Sequence, residues 1–230
     1  MTKAEGRFEG FADAGGSFFK KLAKNQDKAW FTAHKAEYEE GWQAPLQALL
    51  AEIAQKIDAA YPDCELGEPR VMRIYRDVRF SKDKSPYKTH VGGSVPLKGA
   101  GGMGEVPSAF YFHVGADDLF AGAGLYMMDP ARLARLRTAI LDDAKGGEIA
   151  KIVRGLEKKG MRVTAAETLK KPPKGVPVDH PRLDLLLKKG LVAGVEDIPR
   201  EALTSRALVD VCVKAAKSMA PMVRWLAFSV

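Results

Sequence analysis

The spacing of apolar residues changes twice along this chain, and that double change limits the fold more than any other feature. Up to about residue 60 the apolar positions recur at helical spacing, as in Leu46, Leu49, Leu50, Ile53 and Ile57. Between residues 71 and 126 they collect instead into four short runs, VMRIYRDVRF, VGGSVPL, SAFYFHVG and LFAGAGLY, rich in β-branched and aromatic residues and separated by Gly and Pro. From Asp129-Pro130 helical spacing returns. Helices, then strands, then helices predict an α+β fold. The expectation is a single domain over residues 1–230, with a central, mostly antiparallel sheet packed against N-terminal and C-terminal helices.

Within that frame, Phe18, Phe19 and Leu22 predict a short amphipathic helix ending near Asn25, and Asp27 is placed to cap the next one. Trp30, His34, Tyr38 and Trp42 follow at four-residue spacing as an aromatic stripe, and Pro45 restarts or kinks the helix. The run VMRIYRDVRF is read as a strand over 71–80 and GAGGMG at 99–104 as a hairpin loop. Leu133, Leu136 and Ile140 line a helix that Asp129 caps; Glu148 to Lys159 and Leu183 to Lys188 predict two more. KKPPKGVPVDHP at 170–181 is a proline-stiffened connection. The last helix, from about Ser205, is expected to bury Leu208, Val211, Cys212, Ala215 and Met219 and to be interrupted at Pro221. No internal repeat is present, and no soft linker divides the chain.

The net charge of +7 is unevenly distributed. Residues 71–99 carry 7 basic and 2 acidic side chains and residues 146–175 carry 8 and 3, so each block is +5 on a nearly neutral background. Local excesses of this kind favour an anionic partner at a defined place over a generally polycationic surface. The N-terminus has no secretion-signal pattern and no apolar run is long enough to span a membrane. Cys64 and Cys212 form no metal-binding pattern, and Cys212 reads as a buried thiol. The expectation is a cytoplasmic, reduced protein without membrane association. GxSxG, HExxH and GxxxxGK[ST] are missing, and the pairs Asp117-Asp118 and Asp142-Asp143 lack metal-site spacing, so neither a cofactor nor a metal is expected. The sequence does not show an oligomeric state.

RIYRDVRFSKDKSPYKTH, at 73–90, holds the densest charge. On a strand over 71–80, Met72, Ile74, Arg76, Val78 and Phe80 share one face, and Val71, Arg73, Tyr75, Asp77 and Arg79 the other. The loop Ser81, Lys82, Asp83, Lys84, Ser85, Pro86, Tyr87 and Lys88 then offers backbone N–H groups, hydroxyls and ammonium groups close together. Such a set suits phosphate or carboxylate, with arginine forks supplying bidentate contacts. The competing explanation is internal: Arg76, Asp77, Asp83 and the lysines can form an ion-pair network that only staples the loop.

His113 lies on the strand face of Ala109 and Tyr111, opposite Phe110, Phe112 and Val114; pairing of 71–80 with this strand would bring it to the arginine row as an acid or base, and a hydrogen-bonded or exposed imidazole is the plainer reading. His90, His34 and His180 are weaker candidates. Gly122 and Gly124 leave two bare positions on one strand face, which suits close approach of a ligand or a tight bend of the sheet.

The block RxxRDxRFSKDKxPYK over 73–88 resembles the hallmark of a bacterial and fungal family known as a domain of unknown function. An N-terminal set of Phe8, Gly10, Phe11, Leu22, Asn25, Trp30, Phe31, Lys35 and Tyr38 also resembles that family, as do Gly122 and Gly124 before Tyr126, Leu133 and Arg137, and PKGVPVDHP near residue 180. The resemblance covers nearly the whole chain. It implies a single α+β domain, adds Arg137 to the candidate residues, and implies no particular activity.

The functional expectation is a site for a small phosphorylated or carboxylated molecule. Arg73 and Arg79 would clamp the anion, Ser81, Lys82, Lys84 and Lys88 complete the cradle, Tyr87 wall it, and Asp77 and Asp83 orient the bases. Arg76, His113 and Arg137 stand beside this set. No nucleophile is evident, so the sequence leaves catalysis open. The alternatives are a nucleic-acid-binding module that uses both basic blocks with Tyr75 and Tyr87 for stacking, and a structural or protein-interaction module in which Arg79→Ala unfolds the chain.

Overall fold

The computed structural model of the chain describes residues 6–79, 81–99 and 106–230. Phe80 and most of the Gly-rich 99–104 stretch therefore lie outside the described residues. Six antiparallel strands form the sheet: β1 (Arg70–Val71), β2 (His90–Pro96), β3 (Ser108–Gly115), β4 (Leu119–Leu125), β5 (Arg162–Thr164) and β6 (Leu191–Val195), in the order β1-β2-β3-β4-β6-β5. Among the described residues eight α-helices accompany it: α1 (Ser17–Lys24), α2 (Lys28–Ala33), α3 (Lys35–Tyr38), α4 (Ala44–Ile57), α5 (Pro130–Leu141), α6 (Asp143–Glu157), α7 (Leu183–Leu186) and α8 (Ala207–Ser229). The α+β expectation holds.

Local chemistry accounts for the helix ends. Asp27 accepts the Trp30 N–H at 2.8 Å and starts α2; Asp129 accepts from the N–H groups of Ala131 and Arg132 and starts α5. A π-helical turn over Glu39–Gln43 leads into α4, and Pro45 sits in the first turn of α4. Pro221 does not interrupt α8, which runs 23 residues through it. Eleven buried residues, from Leu208 to Leu226, anchor that helix and outweigh the single lost backbone bond.

One sheet face belongs to the core. Val91 and Val95 of β2, Phe110, Phe112 and Val114 of β3, and Ala121 and Ala123 of β4 are all buried. Helices α4 and α8 pack on this side. Gly93 has no side chain because one would meet Leu50 of α4 and the β1 backbone. The N-terminal segment is tied in by aromatic packing: the Phe11 ring stacks on Trp42 at 5.4 Å and on Phe112 at 6.2 Å.

The strand over 71–80 is not present as expected. Only Arg70–Val71 belongs to the ladder, and Val71 pairs with Gly93. The chain then continues extended beside β2, with Met72 N–H bonded to Gly92 at 2.8 Å, Lys88 N–H to Ile74 at 2.8 Å and Arg76 N–H to Pro86 at 2.9 Å, and one isolated bridge, Tyr75 to Tyr87. The pairing slips by two residues between Val71 and Tyr75, which breaks the ladder. The alternation in exposure survives: Arg73, Tyr75, Asp77 and Arg79 are exposed, Ile74 is buried, and Arg76 and Val78 are half-buried.

Candidate functional site

The charged block largely neutralises itself at its tip. Arg76 forms an ion pair with Asp83. Asp83 also accepts the Ser85 N–H at 2.9 Å and the Ser85 hydroxyl at 2.6 Å. The Arg76 guanidinium, with help from Ser85, holds the Asp83 carboxyl well below the usual carboxylate range. Arg79 grips Asp77 with two donors, Nε at 3.0 Å and Nη2 at 2.7 Å, and holds its carboxyl down to about 2. Lys84 donates to the Val78 carbonyl at 2.9 Å. Ser81 is half-buried and donates its N–H to Val78. Tyr87 is no wall of an open site: it is buried, its ring 4.5 Å from that of Phe31. Tyr75, packed on it at 5.3 Å, is the exposed ring.

Four cations of the block have no carboxylate in ion-pair range among the described residues: Arg73, Lys82, Lys88 and Lys84, whose ammonium is instead bound to the Val78 carbonyl. Lys82 extends into solvent. Lys88 is half-buried, and burial first, then the nearby Arg73, pushes its pKa down. A lysine whose charge is disfavoured by both its surroundings and a second cation marks excess positive potential.

That potential adjoins the sheet face turned away from the core. In β2 the outward positions are His90, Gly92 and Ser94; in β3 they are Tyr111 and His113; in β4, Phe120 and Gly122. β2 separates β1 from β3, so the 71–80 segment does not pair with the His113 strand; β2 itself supplies the contact. His90 and His113 are diagonal neighbours with ring centres 5.1 Å apart. Both face one carboxylate: Asp118 Oδ2 lies 3.6 Å from His90 Nδ1 and 3.5 Å from His113 Nε2. The other nitrogen of His113, Nδ1, is 3.1 Å from the Tyr111 hydroxyl.

Glycines make this arrangement fit. A side chain at Gly115 would collide with Asp118 and lie 2.7 Å from the Thr89 carbonyl and 3.0 Å from His90 Cβ, so Asp118 reaches the imidazoles only because residue 115 has none. A side chain at Gly92 would crowd His113 and the Tyr111 hydroxyl, each 3.2 Å away. Burial lowers the pKa of His90, with Lys88 adding to the drop and Asp118 opposing it. Burial and the neighbouring His90 lower His113, again against Asp118. Burial, with the Asp118 charge, pushes Tyr111 up to about 12. Among the described residues no group of three or more His, Cys, Asp or Glu side chains is placed to hold a metal ion.

Other sequence candidates fall elsewhere. Arg137 lies on α5, which packs on α6, α7 and α8; its Nε is buried without a hydrogen-bond partner. Gly122 and Gly124 are occupied from within: the Phe120 ring lies over Gly122 and Gly194, and the Leu191 carbonyl closes on Gly124, whose φ is +126°. They serve sheet packing and not ligand approach. The residues missed by sequence reading are Asp118 and Tyr111, and His90 was undervalued. Their shared signal was a two-residue alternation, Lys88-x-His90-x-Gly92 and Tyr111-x-His113, with an acidic hairpin turn after Gly115.

Among the described residues no helix is long and apolar enough to cross a membrane. A search of curated proteins finds no match to this chain. A family model described as a conserved hypothetical protein, DUF2461, matches residues 16–225. That match runs from the start of α1 into the last turns of α8 and takes in the charged block, the histidine pair and Asp118, and the chain belongs to this family.

Proposed function

We propose that the protein binds a small phosphorylated or carboxylated molecule beside the outer sheet face, held by Arg73 and Lys88. The observation that carries this reading is the contrast within one block. Arg76 and Arg79 have carboxylate partners of their own, whereas Arg73 and Lys88 lie close to one another with none in ion-pair range among the described residues. Two adjacent cations, one of them partly desolvated, gain from an anion that neutralises both. The imidazole of His90 adds a donor or acceptor beside them.

Thermal melting at low salt against inorganic phosphate, pyrophosphate, citrate and oligothymidylate tests the reading. Phosphate or citrate raises the melting temperature of the wild type and has no effect on Arg73→Ala or Lys88→Met. No shift with any small anion refutes it. A shift with the oligonucleotide alone replaces it with nucleic-acid binding.

A further inference from the structure

We propose that Asp118, His113 and Tyr111 hold His90 as a general base, with its Nε2 directed at a carbonyl compound whose phosphate or carboxylate rests on Lys88 and Arg73. This rests on the anion-binding reading above and adds a reaction to it.

Asp118 is an acceptor, and two imidazole nitrogens face the same oxygen, His113 Nε2 at 3.5 Å and His90 Nδ1 at 3.6 Å. Both nitrogens are best satisfied as N–H donors to that oxygen. With Nε2 protonated, neutral His113 has its lone pair on Nδ1, which accepts the Tyr111 O–H at 3.1 Å. The phenol is a donor, since its pKa is raised. With Nδ1 protonated, neutral His90 has its lone pair on Nε2. No hydrogen bond occupies that atom among the described residues, and it is not among the buried unpartnered atoms. Among the imidazole nitrogens and the phenol of Tyr111, His113 and His90, only His90 Nε2 has no such contact, and its lone pair is the base. The contacts are longer than ideal hydrogen bonds, as is common for catalytic groups before substrate arrives. Gly115, bare at the point where a side chain would displace Asp118, keeps the carboxylate in reach.

Burial and Lys88 keep His90 neutral near pH 7, the state a base requires. Among the described residues no serine or cysteine is hydrogen-bonded to His90, which favours direct proton abstraction over covalent catalysis. The C–H bond next to the substrate carbonyl breaks and the proton goes to His90 Nε2. The bond pair becomes the enolate C=C and the carbonyl π pair moves to oxygen, where Lys88 balances the charge. The imidazolium then returns the proton to the same carbon and the carbonyl re-forms, so no oxidant or second reactant is needed.

Two measurements decide. Long-range ¹H–¹⁵N spectra of the wild type show His90 protonated on Nδ1 and His113 on Nε2; the opposite tautomer at His90 overturns the assignment. In deuterated buffer, dihydroxyacetone phosphate and pyruvate are followed by loss of their C–H signals, with melting shifts recorded on the same samples. Exchange rises about a hundredfold over buffer for the probe that binds. It falls to the buffer rate in His90→Gln and drops in Asp118→Asn, whose side chain is half-exposed and not needed for the core. A melting shift without exchange overturns the general base and leaves anion binding intact. No shift with these probes, and none with phosphate or citrate, removes both.

Discussion

Arg79 lays its guanidinium on Asp77, while Arg73, six residues earlier, has no carboxylate in ion-pair range among the described residues. Exposed pairs like the first contribute little to stability. Arg79→Ala should therefore leave the protein folded, with a cooperative melt close to that of the wild type; unfolding would restore the structural-module reading. Arg73→Ala should change stability by less than about 0.5 kcal/mol and abolish the phosphate-induced shift. The histidines yield a pH prediction. Burial lowers both imidazole pKa values, against Asp118 and with Lys88 and the second imidazole acting in the same direction as burial. As pH falls below the ordinary histidine value of about 6.5, the unfolded chain takes up protons before the folded one does. Stability then rises with pH in this window; the contribution is complete above about 6.5 and is lost as pH falls through the lowered folded values. The melting temperature should drop between pH 7.5 and 5.5, and less steeply in the His90→Gln/His113→Gln double variant. Equal slopes would show that the pair is not desolvated. Composition made the arginines visible at once, but only the fold separates a guanidinium with a partner from one without. His90 looked weak because its partners, Asp118 and His113, are 28 and 23 positions away and meet it only through strand register.

Periodicity was a good guide to elements held by one buried face and a poor one where long-range pairing decides. Asp27 and Asp129 cap their helices as read, because a cap is a local event three residues deep. The alternation from Arg73 to Arg79 was legible too, yet the strand was not there: side-chain exposure follows the extended backbone, whereas a ladder also needs a partner in continuous register, and the slip beside β2 removes it. β6 was missed because LVAGV reads as a short apolar run with a glycine, with no exposed alternate residue to mark a strand. Its pairing with β4 explains the glycines that had suggested a ligand. Phe120 lies flat over Gly122 and Gly194, and Gly124 closes on the Leu191 carbonyl at positive φ. Gly124→Ala combines steric overlap with an unfavourable backbone and should cost about 2–4 kcal/mol, read by chemical denaturation, while any anion-induced melting shift persists. A loss under about 0.5 kcal/mol would mean that β4 and β6 are not so tightly joined.

Across the whole molecule the two basic blocks do not combine. The 71–99 block lies at the β1–β2 edge of the sheet, and the 146–175 block carries β5, the strand at the other edge. Five strand spacings separate these edges, about 24 Å. The second block is also partly spent: Arg162 is bound to Glu196 at 3.1 Å, and its remaining exposed cations include Lys170, Lys171 and Lys174. Between the edges the outer face offers His90, Asp118, Tyr111 and Phe120, which form no positive track. An anion held by Arg73 and Lys88 therefore has no reason to sense the far lysines. The triple variant Lys170→Glu/Lys171→Glu/Lys174→Glu should keep the phosphate-induced melting shift, and Arg73→Ala/Lys88→Met should lose it. Oligothymidylate is the stricter probe. Held by two cations it would show a log–log salt slope of about −1.4, near −0.7 per phosphate; threaded across both edges it would show a far steeper slope that the lysine triple variant flattens. The steep slope, with its loss in that variant, would make the sheet a nucleic-acid surface and leave Arg73 and Lys88 as two contacts among many.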